Sequence, residues 1–310
     1  MSQPSSAAPR IVAVVVTFNR RDMVTRLVAS LDGGRVVPDE IVVVDNASTD
    51  GTAEALAALE TSTPLQVLAL TENTGGAGGF HRGMETALTR DADLVWLMDD
   101  DGVPAEDCLE LLLGHVADHD FLGPAVVDAE RPDRLCFPIR LPGRSTVVRH
   151  LADVERAAED GLVADVVIPF NGVLVTRELV ERIGLPREEF FIWGDDVEYL
   201  WRAREAGARI ATVVESRFLH PATDDLGTPL MFGLTTYNHS PSDLKHYCMC
   251  RNNVANLRAY AGPLGVLAFV AKTFWFYLFT RRDLGRLRMS LRAMLAGWRG
   301  DFTGHRKYLA

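Results

Sequence analysis

Cysteine is scarce in this 310-residue chain, and its few positions form no metal pattern. Cys108, Cys136, Cys248 and Cys250 include one Cys-x-Cys and no second pair at zinc spacing, which excludes a structural zinc module. All four read as reduced thiols of a cytosolic protein. The Walker and dinucleotide fingerprints are also missing: there is no Gly-x-Gly-x-x-Gly and no Gly-Lys-Ser/Thr. The first residues, MSQPSSAAPR, lack the apolar core of a signal peptide and read as a short disordered lead-in, residues 1–9. No internal repeat is found.

The composition, 47% hydrophobic and 24% charged, is that of an ordinary globular protein. Its net charge of −10 is uneven. Residues 251–310 hold 11 Lys+Arg against two acids, Asp283 and Asp301, a charge of +9. The rest holds 21 basic and 40 acidic residues, a charge of −19, which argues against a nucleic-acid-binding body. The basic segment contains an apolar stretch, residues 263–279, rich in Phe, Trp and Tyr. It is marginal for crossing a bilayer, and it reads as an interfacial helix pair on an anionic membrane surface. The alternative is a helix that covers the rest of the protein or forms a homo-oligomer interface.

The first hundred residues alternate β-rich runs with amphipathic helices. Strands are expected at 11–16, 41–44, 65–70 and 94–98, and helices at 22–31, about 52–60 and about 80–89. This βαβαβαβ layout implies an α/β fold with an open, mostly parallel sheet flanked by helices. Ligands of such sheets bind beyond the carboxyl ends of the strands, where Thr17–Arg20, Asp45, Asn73 and Asp99–Asp101 lie. Farther on, an interrupted strand is expected within 163–176, a helix at about 196–206, a strand at 209–214, a long loop over 222–243, and mostly helix beyond Pro263.

Two acidic clusters carry chemistry. Asp99-Asp100-Asp101 ends an apolar run, where a divalent cation would offset the mutual repulsion of the carboxylates; the alternative is a solvated acidic turn. Asp195-Asp196 opens a helix, where the alternative is simple capping. The cluster Gly75-Gly76-Ala77-Gly78-Gly79 lets backbone approach a ligand closely, and a helix start there favours anions. Arg82, just inside that helix, suits a diphosphate or is simply solvated.

In order along the chain stand Thr17-Phe-Asn19, Val-Val-Asp45-Asn-Ala-Ser-Thr-Asp50-Gly-Thr, Asn73 before the glycines, Asp99-Asp-Asp101, Trp193-Gly-Asp195-Asp196 and His220. The pattern resembles the inverting family 2 glycosyltransferases of GT-A fold. Within them it resembles bacterial galactofuranosyltransferases that initiate galactan on a lipid-linked acceptor. The stretches carrying this are Asn-x-Gly-Gly-Ala-Gly-Gly-Phe (73–80), Trp-Leu-x-Asp-Asp-Asp-Gly (96–102) and Thr-Arg-Arg-Asp (280–283).

The resemblance implies roles. Asp45 reads the nucleotide base, with Thr17, Asn19 and Asn73 lining the same donor pocket and Gly76 and Arg82 near the diphosphate. Asp99, Asp101 and His220 hold Mn²⁺ or Mg²⁺, and Asp100 reaches donor hydroxyls. Asp196 is the catalytic base; Trp193, Asp195 and Arg251 meet the acceptor, Arg251 through its phosphate. The alternative for Asp45 is turn-shaping and for Trp193 core packing. The expected organisation is a catalytic domain over 10–245, with a nucleotide-sugar half of about 10–101 and an acceptor half of about 102–245. A helical, basic, membrane-associating segment follows over 246–310. The expected activity is transfer of a sugar, foremost galactofuranose from UDP-galactofuranose, onto a polyprenyl-diphosphate-linked saccharide. It would take place at the inner face of the plasma membrane, in cell-envelope polysaccharide assembly. The alternatives are a rhamnosyltransferase using dTDP-rhamnose and a nucleotide-sugar-binding module without turnover.

Overall fold

The computed structural model describes residues 8–143, 147–221, 227–230 and 235–309; residues 1–7 of the expected lead-in lie outside them. The chain falls into two compact units. One comprises residues up to Thr74, Gly79–Leu185 and Arg202–Ala222; the other gathers Gly75–Gly78, Pro186–Trp201 and Thr223–Ala310. This differs from a sequential cut near residue 245. Short stretches around 75 and 190 pack with the C-terminal helices rather than with their chain neighbours.

In the first unit, β1 (Ile11–Thr17), α1 (Arg21–Asp32), β2 (Glu40–Asp45), α2 (Thr52–Ala57), β3 (Leu65–Ala69), α3 (Gly75–Thr89, its first turn in the second unit) and β4 (Leu94–Asp99) follow the expected alternation. β1 and β2 are buried along their whole length, as continuous β-branched runs require when helices cover both faces. The chain continues through β5 (Val103–Pro104), α4 (Cys108–Leu113), β6 (Phe121–Asp128), β7 (Arg134–Arg140), β8 (Val147–His150), α5 (Leu151–Glu155), β9 (Leu162–Ala164), β10 (Asn171–Thr176), α6 (Arg177–Ile183), α7 (Asp195–Glu205) and β11 (Ile210–His220).

The sheet order is β3-β2-β1-β4-β10-β6-β11-β5, with β7 and β9 added on β6 and β11, and β8 on β7. The first four strands are mutually parallel, β10 runs antiparallel to both β4 and β6, and β11 is parallel to β6. The fold is therefore the expected one, a mixed, largely parallel sheet flanked by helices. The register pairs Thr17 with Asp45 and Val16 with Asp99, so the carboxyl ends of β1, β2 and β4 form one edge. The core beneath includes Val15, Leu27, Val43, Trp96, Met98 and Phe218.

In the second unit, β12 (Thr228–Leu230) and β13 (Thr235–Tyr237) pair antiparallel inside the stretch expected to be loop, of which residues 222–226 and 231–234 lie outside the described residues. α8 (Asp243–Asn256), a π-helical turn (Leu257–Ala261), α9 (Gly262–Trp275) and a second π-turn (Phe276–Thr280) make one long helix, and α10 (Leu284–Arg299) returns along it. Asp283 caps α10 by accepting from the Arg286 N–H. Tyr237, Met249, Val254, Phe276, Tyr277 and Met294 form this unit's own core.

Candidate active site

The first unit carries the donor-side candidates. Asp45 ends β2 and is buried; its Oδ1 accepts the Ser48 N–H at 3.0 Å, which shapes the turn. Asn19 adopts a left-handed φ of 53° and stitches the β1 and β2 loops together. Its N–H donates to Ser48 Oγ and its Oδ1 accepts from the Thr49 N–H, each at 2.8 Å. Asn46, not singled out from the sequence, accepts from the Thr74 N–H and hydroxyl, which ties β2 to the chain just after half-buried Asn73.

The glycine cluster is the start of α3 rather than a loop before it, five residues earlier than expected. Gly75 has φ +73°, and a Cβ there would lie 1.9 Å from the Phe191 carbonyl oxygen. The Ala77 N–H donates to that same oxygen at 3.1 Å. A Cβ on Gly79 would lie 2.4 Å from Val16. Gly75 and Gly79 therefore admit protein, whereas Gly76 faces open space on its Cβ side. Arg82 is exposed and pairs with Glu85 at 3.0 Å, as a solvated helix residue does.

The acidic triplet does not stay extended. Asp99 is the last residue of β4, and Asp100 and Asp101 already turn away, so the spacing that would align Asp99 with Asp101 is lost. Among the described residues no three His, Cys, Asp or Glu side chains gather as a preformed metal shell. Asp100 is buried and engaged on both oxygens, by the Thr17 hydroxyl at 2.6 Å and by Arg20 at 2.9 Å. Burial raises its proton affinity more than these partners lower it. Arg20 also reaches Asp101 at 2.6 Å. No sequence signal separates this arginine from the other basic residues of α1 and its approach.

Asp101 does meet His220. Antiparallel pairing of Leu219 with Val103 brings the next residue of β11 level with the Asp101 turn, and His220 Nε2 lies 3.0 Å from Asp101 Oδ1. His220 Nδ1 faces the Pro221 carbonyl oxygen at 2.8 Å and the Cys136 sulfur at 3.3 Å. A carbonyl can only accept, so Nδ1 carries a proton, and Nε2 can meet the carboxylate oxygen only by carrying a second proton or by sharing a cation with it. Asp101 Oδ1 is buried and receives no well-aligned hydrogen bond among the described residues. Burial opposes both charges, yet His220 and Arg20 hold Asp101 far below the usual carboxylate range, and Asp101 pushes His220 up to about 10. Two electron-pair donors this close need a cation between them, a proton or a metal. One imidazole and one carboxylate, completed by ligand oxygens, fit Mn²⁺ or Mg²⁺.

The second unit carries the other acidic pair. Asp195 is buried and Asp196 half-buried at the start of α7. Burial raises the proton affinity of both, and for Asp195 the repulsion of Asp196 adds to it. The Asp196 Oδ1 accepts the Val197 N–H at 2.7 Å. Trp193 is half-buried against the unit's core with φ 73°.

Arg251 has a different surrounding from the one expected. It is fully buried, and its guanidinium donates to the carbonyls of Phe302 (2.8 Å) and Phe190 (2.7 Å) and to Asn252 Oδ1 (2.8 Å), beside His305 Nδ1, which faces the same Phe302 carbonyl at 2.8 Å. Those donors are spent inside the protein, so Arg251 does not present a free fork to an acceptor phosphate.

Comparison with known proteins agrees with this architecture. The profile described as Glycosyl transferase family 2 matches residues 12–171. Galactofuranosyltransferase GlfT1 of Mycolicibacterium smegmatis is 32% identical over 300 residues, covering 94% of this chain and 97% of the relative. The protein of the same name from Mycobacterium tuberculosis (strain H37Rv) is 33% identical over 301 residues, covering 94% and 96%. Among solved structures, mannosyltransferase PcManGT from Pyrobaculum calidifontis, in complex with GDP-Man and Mn²⁺, superposes with a TM-score of 0.55 at 18% identity. It covers 98% of this chain and 79% of that one, and at this identity the likeness shows the GT-A fold alone. The chain is a glycosyltransferase and belongs to glycosyl transferase family 2.

Proposed function

We propose that this enzyme transfers galactofuranose from UDP-galactofuranose onto a polyprenyl-diphosphate-linked saccharide, with inversion at the anomeric carbon. The observation that carries the donor is the identity of 32–33% to two galactofuranosyltransferases along 94% of the chain. Asp45, Thr17, Asn19 and Asn73 line the nucleotide end, and Gly76, with open space beside it, admits the diphosphate. Asp101 and His220 hold a divalent cation, with Asp100 fixing the loop through Thr17 and Arg20. When bound, the cation neutralises charge growing on the departing diphosphate.

Asp196 acts as the general base. It takes the proton of the acceptor hydroxyl as that oxygen bonds to the anomeric carbon, and the bond to the diphosphate breaks in the same displacement. Burial supports this role, because a carboxylate of raised proton affinity is a better base. Asp195 and Trp193 orient the acceptor sugar.

The lipid-linked acceptor is supported by the surface of the C-terminal helices. Leu264, Leu267, Phe274, Phe279, Leu284 and Trp298 are exposed, an unusual set for a protein surface. Arg281, Arg282, Arg288, Arg292 and Arg299 are exposed beside them in the chain. One helix among the described residues, Asp243–Thr280, is long and apolar enough to cross a membrane. Its first part, however, buries His246, Arg251, Asn252 and Asn256 in the protein. We therefore read α9 and α10 as lying on an anionic bilayer rather than spanning it, at the inner face of the plasma membrane.

The test is a screen of UDP- and dTDP-sugars against a synthetic polyprenyl-diphosphate-linked disaccharide with Mn²⁺, reading product mass and anomeric configuration. A product formed only from UDP-galactofuranose, with inverted configuration, is expected. Preferential transfer from dTDP-rhamnose overturns the donor, and retention overturns the single displacement.

A further inference from the structure

Asn252, Asn256 and Tyr260 stand four residues apart along α8 and the π-turn that follows it, so they share one helix face. The first two reach the segment that leads into Asp195 and Asp196, and the third reaches the first turn of α7 just beyond them. The Asn252 amide donates to the carbonyls of Phe190 (3.0 Å), Ile192 (3.1 Å) and Trp193 (2.7 Å). The Asn256 amide donates to the Gly194 carbonyl at 2.8 Å, and the Tyr260 hydroxyl to Glu198 Oε1 at 2.7 Å. Asn256 Oδ1 is buried with no partner among the described residues, so this side chain is retained for its N–H donors.

The segment needs restraint. Phe191, Trp193 and Gly194 have φ of 64°, 73° and 83°, left-handed values that the first two adopt at a cost. The bend they make turns three carbonyls toward one amide of α8 and sets the entry of α7. Arg251 completes the arrangement by holding the Phe190 carbonyl and the Asn252 oxygen. The π-turn matters as well: it inserts a residue into the helical repeat just where the face would otherwise rotate away before Tyr260.

We propose that Asn252, Asn256 and Tyr260 are positioning residues, a ladder on one helix face that fixes the backbone from Phe190 to Glu198 and with it the aim of the Asp195 and Asp196 carboxylates. The proposal rests on the reading of Asp196 as base. The charged and titratable groups facing Asp195 are Asp196 and Glu198 from α7 itself and the Cys248 thiol from α8.

Three variants test it: N256L, which keeps the volume and removes the amide, Y260F, which loses one hydroxyl, and D196N. With UDP-galactofuranose and the synthetic lipid-linked disaccharide, N256L and Y260F should lower kcat about 10–100-fold, the cost of a slightly misplaced reacting group. Donor KM and calorimetric binding of UDP with Mn²⁺ should stay as in the wild type. The acid limb of the kcat–pH profile should move to lower pH, because a loosened loop hydrates the base. A merely structural role would lower the folded fraction and leave the pH profile alone, and that result overturns the proposal. D196N separates the two ideas. If D196N is inactive while N256L and Y260F behave as wild type, the ladder does not position the base. If D196N turns over normally while the other two are impaired with shifted profiles, the ladder stands and Asp196 is not the base.

Discussion

Replacing Arg251 by methionine distinguishes an acceptor-phosphate ligand from an internal tie. Methionine keeps much of the volume and none of the donors. Three acceptors then lose a charged partner: the carbonyls of Phe302 and Phe190 and Asn252 Oδ1. An unsatisfied buried acceptor costs about 1–3 kcal/mol. Phe190 keeps the Asn252 amide and Phe302 keeps the His305 ring N–H, so Asn252 Oδ1 alone is orphaned, for about 1–3 kcal/mol, and the two carbonyls each lose a charge-assisted bond, on the order of 1.5–3 kcal/mol. Against this, a cation bonded to neutral groups no longer has to be desolvated, a relief on the order of several kcal/mol. The balance is a loss on the order of 3 kcal/mol, since no charge is left buried without a partner. At about 2–4 °C per kcal/mol for a large domain, Tm should fall by roughly 6–12 °C. R251K should recover part of it, since one ammonium cannot span acceptors that a planar fork meets together. The assays are thermal and urea unfolding of each variant beside acceptor KM. Wild-type stability with a raised acceptor KM would refute this reasoning and return Arg251 to the acceptor phosphate.

Three further outcomes are expected. EDTA should abolish transfer and Mn²⁺ or Mg²⁺ restore it, while D101N and H220A should each weaken Mn²⁺-dependent binding of UDP; full activity after chelation would sink the Asp101–His220 site. Burial depresses His246 to about 4, with Arg286 and His239 adding to it, whereas an unfolded histidine titrates near 6.5. The unfolded chain therefore binds the proton first, stability is complete above pH 6.5, and up to about 3 kcal/mol is lost as pH falls to 4. Urea midpoints across that window should show the loss in the wild type and a shallower one in H246Q; equal slopes would exclude His246 as its source. The protein should sediment with anionic vesicles at low salt and be partly released by high salt. R288E/R292E should bind less, and equal partition onto neutral vesicles would remove the electrostatic part. Substitutions serve better here than deletion of α10, which packs Leu287, Ala293 and Met294 into its unit's core.

Much of the fold was legible in the sequence because the relevant signals are local. β1, β2 and β4 announce themselves as buried β-branched and apolar runs ending in Thr17, Asp45 and Asp99, and a parallel sheet collects such ends on one edge. The ordered acidic motifs identified the family for the same reason. The glycines of 75–79 illustrate the limit: their low helix propensity argues for a loop, yet they begin α3, because Gly75 and Gly79 lie where a Cβ would strike Phe191 and Val16.

What only the tertiary structure decided concerns partners far apart in the chain. His220 faces Asp101 through the register of β11 on β5, and Arg20 joins Asp100 and Asp101 across about eighty residues. The family resemblance pointed Arg251 at an acceptor phosphate; carbonyls from residues 190 and 302, converging on it, made it an internal tie. The Asn252, Asn256 and Tyr260 spacing is visible in the sequence as a helix face. What that face holds is set by a left-handed bend some sixty residues away, which no local propensity encodes.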